Sequence, residues 1–227
     1  MASPDLVDRA ELLAAREKLA AVAGGERVEL RFAGPLGSAW TIADPLALQR
    51  DSAAGTLNVD TASAGVLASV PVMLHSDHVE LELDVTLELL EWSATLKVEL
   101  VAEGSEGPSI ALEAGAGGGG RTLVRGYSCV FGLHRVAPVS STQGGPSDEV
   151  ARVVLRGASI RPLREHYCTF ARVGAAPRHE AARDNTAPQQ LSGPYRLVLR
   201  TSTQDGPARL RARIHRIVLL GGSVSAG

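Results

Sequence analysis

The stretch His78-Val-Glu-Leu-Glu-Leu-Asp-Val-Thr-Leu-Glu88 sets Glu80, Glu82, Asp84, Thr86 and Glu88 against Val79, Leu81, Leu83, Val85 and Leu87. Successive side chains of a strand point to opposite faces, so this period-two alternation predicts a strand with one apolar and one polar face. The habit recurs with the opposite charge. Arg209, Arg211, Arg213 and His215 share one face of a strand over Arg209–Leu219, Arg196 and Arg200 one face of Tyr195–Thr201, and Arg152 and Arg156 one face of Val150–Leu155. Where acidic and basic strands are neighbours, opposite charges meet across the ladder at a few tenths to about 1 kcal/mol each and fix the register.

Outward from this strand, Val28–Phe32, Trp40–Ile42, Gly55–Val59, Val66–Leu74, Trp92–Val101, Ser109–Glu113, Thr122–Leu133 and Tyr167–Val173 also read as strands, set off by Gly, Pro, Asn and Asp. About ten to thirteen short strands of this kind predict a mainly β protein, an antiparallel β-sandwich or jelly roll. One helix is expected ahead of it over residues 5–23, with Ser3 as cap, Pro4 in the first turn and Gly24-Gly25 as the stop. The domain plan is a helix or linker over 1–25, the sandwich over 26–221 and a tail over 222–227. The run Gly115–Gly120 reads as an exposed loop, because ordering glycine is entropically costly. The Pro-rich and polar stretch 174–194 reads as irregular.

The 227 residues are 44% hydrophobic but only 4% aromatic, so the core must be built from Leu, Val, Ile and Ala. Scarce aromatics remove the stacking platforms on which bases and sugars rest. A formal net charge of -2 gives no global attraction for nucleic acid or an anionic membrane. The charged N-terminus has no uninterrupted apolar run, which predicts neither a signal peptide nor a membrane span, and hence a cytoplasmic address. In that setting Cys129 and Cys168 are expected as reduced, buried thiols, with a single disulfide or a reactive pair as the alternative.

Candidate chemistry is sparse. His75 and His78 with Asp77 cluster at a turn, but the sequence offers no third metal ligand, and simple turn chemistry is the expectation. Asp44, Asp51 and Asp60 are too dispersed for a calcium loop. No Gly-x-Ser-x-Gly elbow occurs, and Cys168 beside His166 reads as a core cysteine rather than a nucleophile. The glycine run lacks the Gly-Lys-Ser/Thr of a phosphate cradle. No metal or cofactor is expected.

Trp40 with the loop after it, Gly55-Thr-Leu-Asn-Val59, the strands 66–74 and 79–89, their hairpin partner 94–101, and the closing Tyr195-Arg-Leu-Val-Leu199 and Ile214-His-Arg-Ile-Val-Leu219 resemble in layout the concanavalin A-like lectin/glucanase (laminin G-like) sandwich. The resemblance covers most of residues 27–221. It implies a glycan or a partner as ligand. Hydrolases of that superfamily project carboxylates from one strand into a cleft, about 5–5.5 Å apart in retaining enzymes. Glu80, Glu82, Asp84 and Glu88 depart from the superfamily's compact Glu-x-Asp-x-x-Glu-like signature, since Thr86 separates Asp84 from Glu88. The expected function is therefore a non-catalytic binding or accessory module, sensing a ligand or docking a protein partner in a larger assembly. Glu82, Asp84, Trp92, Arg211 and Arg213 are the candidate ligand-binding residues. A divergent glycan hydrolase or lectin using the acidic strand, and a structural protein that self-associates through a sheet face or edge, are the alternatives.

Overall fold

A computed structural model describes residues 26–91, 93–105, 108–119, 122–132, 134–136, 150–160, 164–183, 191–203 and 206–224. The helix expected over residues 5–23 lies outside them, and so does Trp92. The described residues are all β, in sixteen strands: β1 Arg27–Arg31, β2 Thr41–Ile42, β3 Leu48–Asp51, β4 Thr56–Thr61, β5 Gly65–Leu74, β6 His78–Leu90, β7 Thr95–Ala102, β8 Pro108–Gly119, β9 Thr122–Phe131, β10 His134–Val136, β11 Ala151–Ile160, β12 Glu165–Arg172, β13 Arg178–Arg183, β14 Gly193–Ser202, β15 Leu210–Leu220 and β16 Gly222–Val224.

The strands form two antiparallel sheets. One runs β13-β12-β11-β6-β15-β4-β3 with β1 also on β15, and the other runs β10-β9-β8-β7-β14-β5-β16 with β2 also on β5. The acidic strand β6 thus lies between β11 and β15, the two strands that carry the arginine rows. Its apolar row, Val79 to Leu87, is wholly buried, and it meets Leu96, Val98, Leu100, Ile110 and Leu112 of the second sheet in one aliphatic core. This is the sandwich predicted from the alternation, and its core is as poor in aromatics as the composition requires.

Four elements depart from the sequence reading. Gly115 to Gly119 of the glycine run are strand rather than loop, continuing β8 and pairing with Gly126 to Thr122 of β9, while Gly120 lies outside the described residues. Gly115 earns its place by close approach, because a Cβ there would stand 2.8 Å from the Thr95 hydroxyl. Within the stretch expected to be irregular, Arg178–Arg183 forms an edge strand on β12. Gly222–Val224, set apart as a tail, pairs with Val72–Leu74. The short β3 follows an Asp-Pro turn and had no alternation long enough to read.

The cysteines also differ from expectation. Cys129 on β9 and Cys168 on β12 are joined in a disulfide between the sheets. The sheet edges are short or charged: β3, β10 and β16 are brief, and β13 reads Arg-His-Glu-Ala-Ala-Arg. Such edges discourage strand-to-strand association.

Gly157 on β11 sits under the disulfide, where a Cβ would come within 2.8 Å of Leu112 Cδ2 and 3.3 Å of Cys129 Sγ. Gly157→Ala should therefore destabilise the fold by about 1–3 kcal/mol through overpacking. Gly37→Ala, with no neighbouring atom within 4 Å, should leave stability nearly unchanged. Urea unfolding of both variants checks the pair, and equal midpoints would contradict the packing described.

Candidate functional site

The polar face of β6 is built like a second, charged core. Register places Arg152 opposite Thr86 and Arg156 opposite Glu82, which brings the guanidinium groups of β11 over the acids of β6. Arg152 donates from Nε and Nη2 to the two oxygens of Asp84, each at 2.9 Å. Arg156 donates from Nε to Glu82 at 2.9 Å, makes a second short contact through Nη2, and lies 3.0 Å from Glu80.

From the other side, β15 carries a bulge between Ile214 and Arg216. The extra residue turns both His215 and Arg216 toward this face, and Arg216 donates to Glu82 at 2.6 Å. Arg213 reaches Glu88 at 2.6 Å, and the His215 ring bonds the Thr86 hydroxyl at 2.8 Å. The carboxylate side chains of Glu82 and Asp84 are only 4% and 8% exposed.

The electrostatics follow from this packing. Desolvation opposes the charge on Arg156, but the hydrogen bond to Glu82 and the charges of Glu82 and Glu80 overcome it and raise its pKa. The bond to Asp84 raises that of Arg152 in the same way. His215 is pushed below its ordinary value of 6.5 by partial burial, and then by the nearby charge of Arg152. A general acid must hold a proton and a nucleophile must keep a lone pair free. Both oxygens of Glu82 and both of Asp84 accept from arginines, so this row is suited to holding strands together rather than to glycan hydrolysis.

The candidate residues are therefore not brought into one pocket. Glu82 and Asp84 lie within the ion-pair ladder, Arg213 extends it, and Arg211 lies at its margin. There the pairing thins out. Arg209 and Arg211 share a single carboxylate, Asp60 on β4, at 3.2 to 3.3 Å, and the Asp60 side chain remains 46% exposed.

Beside it opens a depression of 490 Å³ lined by Leu46, Gln49, Asn58, Asp60, Thr61 and Arg209, among others. Asp44 shapes its rim by accepting from the backbone of Leu46 at 3.1 Å and Ala47 at 3.0 Å, which leaves Leu46 85% exposed. Asp51 caps the next turn through Ala53 and Ala54. Two of the three dispersed aspartates thus serve turns. The sequence reading missed this site, although Asn58 and Asp60 alternate with buried Leu57 and Val59 and so had to face outward.

The histidines and cysteines have other partners. His75 bonds Ser223 at 2.8 Å, while His78 is buried at the start of β6. Among the described residues no group of three or more His, Cys, Asp or Glu could hold a metal ion. Cys168, bonded to Cys129, has no thiolate to offer His166.

The fold is that of the concanavalin A-like lectin sandwich. A lectin from Bauhinia forficata in complex with GalNAc superposes with a TM-score of 0.55 at 6% identity, covering 89% of this chain and 100% of the lectin. Lectin II from Ulex europaeus gives 0.54 at 8% identity over 87% of this chain and 99% of its own. The CBM2 module of the evolved Dit of Lactobacillus casei BL23 phage J-1 gives 0.51 at 8%, over 88% and 99%. No protein-family model matches the chain, and no curated protein matches it in sequence.

Removing one member of a buried ion pair leaves an uncompensated charge, at a cost of about 3–5 kcal/mol. Glu82→Gln leaves Arg156 with Glu80 and Arg216 with Glu29 and should therefore cost less, about 1–3 kcal/mol. Arg213→Gln, at a half-exposed pair, should change stability by less than about 1 kcal/mol. Chemical denaturation distinguishes the two, and a Glu82→Gln protein as stable as the parent would contradict the ladder.

Proposed function

We propose that the chain is a non-catalytic binding module that holds a hydroxyl-rich, carbohydrate-like ligand in the depression between β3 and β4, as part of a larger assembly. The observation that carries this reading is the exposed carboxylate of Asp60, braced by Arg209 and Arg211 beside the amides of Asn58 and Gln49. Asp60 Oδ2 accepts from both arginines, whereas Oδ1 accepts only from Arg209 Nε and keeps acceptor capacity, and each amide offers both a donor and an acceptor. A vicinal diol needs that combination. Exposed Leu46 supplies an apolar contact for the carbon face of a ring, in place of the aromatic platform that the composition withholds. The volume falls within the ordinary range of small-ligand sites, about 300–1,000 Å³.

Shared fold adds modest support, since related sandwiches were solved with GalNAc and with galactose. The hydrolase alternative draws no support from the paired acids of β6. Self-association draws none from the charged, short edges.

The hydrogen bond from Arg209 holds the Asp60 carboxyl below its ordinary value of 3.8, against a smaller opposing effect of desolvation. A lowered folded-state pKa means that the carboxylate, and whatever it binds, persists as pH falls through 3.8 and is lost only below that point. Titration calorimetry against neutral mono- and oligosaccharides should show binding that survives at pH 5, and Asp60→Asn should weaken it at least about 10-fold, the loss expected when a charge-assisted hydrogen bond is removed. Binding that is indifferent to Asp60→Asn would place the ligand elsewhere, and a panel that yields only protein partners would favour docking.

A further inference from the structure

The disulfide is the middle rung of a stack that crosses the gap between the sheets. Tyr127 of β9 stacks on Phe170 of β12 with ring centroids 4.3 Å apart, and Phe131 stacks on His166 at 4.5 Å. Cys129 and Cys168 lie between these rungs at a Cα separation of 5.8 Å, within the span a disulfide bridges. Both cysteines are 0% exposed. Gly157 of β11, the register partner of Cys168, leaves room for the sulfur of Cys129.

Two thiols in such a place would each be a weak donor in a tight aliphatic and aromatic shell. A bond fills the site better. It joins two sheets whose crosslinked residues are 39 apart in sequence, so it removes much of the freedom of the unfolded chain.

We propose that the Cys129–Cys168 bond is a permanent staple, closed during folding in an oxidising compartment. Closure removes two electrons and two protons from the pair. One cysteine thiolate attacks a sulfur of an oxidised dithiol carrier and releases the carrier's other sulfur as a thiol. The second cysteine thiolate then displaces the mixed disulfide, and the carrier leaves fully reduced. Once the sheets are docked, neither sulfur meets solvent, and a reductant must wait for the sandwich to open. This inference departs from the cytoplasmic address expected from the N-terminal sequence. It is independent of the proposed ligand, because β12, which carries Cys168, and the β3–β4 depression lie toward opposite edges of one sheet.

The test compares the full chain made in a host with a reducing cytosol and in one with an oxidising cytosol, counting thiols by alkylation in denaturant and measuring the melting temperature. Oxidised protein should carry no free thiol. In millimolar glutathione its bond should be reduced at least about 100-fold more slowly when native than in denaturant, as a protected bond that opens only with the fold requires.

Reduced protein should melt lower by on the order of 10 °C, the shift expected from releasing a loop of this size in a chain of this length. Cys129→Ala/Cys168→Ala should show the same deficit. Equal melting temperatures for the bonded and bond-free chains would overturn the proposal. So would native reduction as fast as that in denaturant, the behaviour of a cytosolic redox switch.

Discussion

Strand β6 is buried on both faces, and the rest of the sandwich is arranged around that constraint. Its inner row needs only aliphatic neighbours, which the second sheet supplies. The outer row is harder to place, because a carboxylate taken from water without a partner costs more than the fold can offset. Arginines on both neighbouring strands meet the need. They come at positions that work in one register only, since a slip of one residue would turn every acid toward the aliphatic core. The charged ladder therefore selects the pairing of β11, β6 and β15 as much as it stabilises it.

The outer face itself is divided between a paired centre and an open margin. At the centre, carboxylates and guanidinium groups satisfy one another. At the β4 margin two arginines share one half-exposed aspartate, and the face opens into a depression. A ligand can reach a carboxylate that meets solvent more readily than one that is buried, and Asp60 is half-exposed where Asp84 is not. On the far side, aromatic and cystine rungs hold the two sheets together where the strands at the edge are short.

Much of the fold was legible because β6 and β15 advertise period two with opposite charges, and because the prediction that acidic and basic rows would neutralise each other needed only adjacency. Three things were not legible. The bulge at His215 changes which residues face outward, so Arg216 joins the ladder in a way that strict alternation forbids. Gly115 to Gly119 read as loop by propensity, yet pairing with β9, and for Gly115 the crowding against Thr95, outweighs propensity. The disulfide depends on two strands, β9 and β12, that meet only across the sandwich. Its one sequence signal was the aromatic or histidine residue two places from each cysteine on both sides, in Tyr127-Ser-Cys129-Val-Phe131 and His166-Tyr-Cys168-Thr-Phe170. The depression escaped notice because its lining comes from two short strands, the turn before β3 and the distant Arg209.

The central claim is that the acids of β6 are structural partners of arginine, and a double-mutant cycle on Asp84 and Arg152 tests it most directly. Unfolding free energies of the parent, Asp84→Asn, Arg152→Gln and the double variant give the coupling between the two side chains. A bidentate pair with one partner almost fully buried should couple by about 1–3 kcal/mol, with the double variant more stable than the sum of the single losses implies. Strict additivity would contradict the account and return the acidic strand to the list of candidate ligand sites.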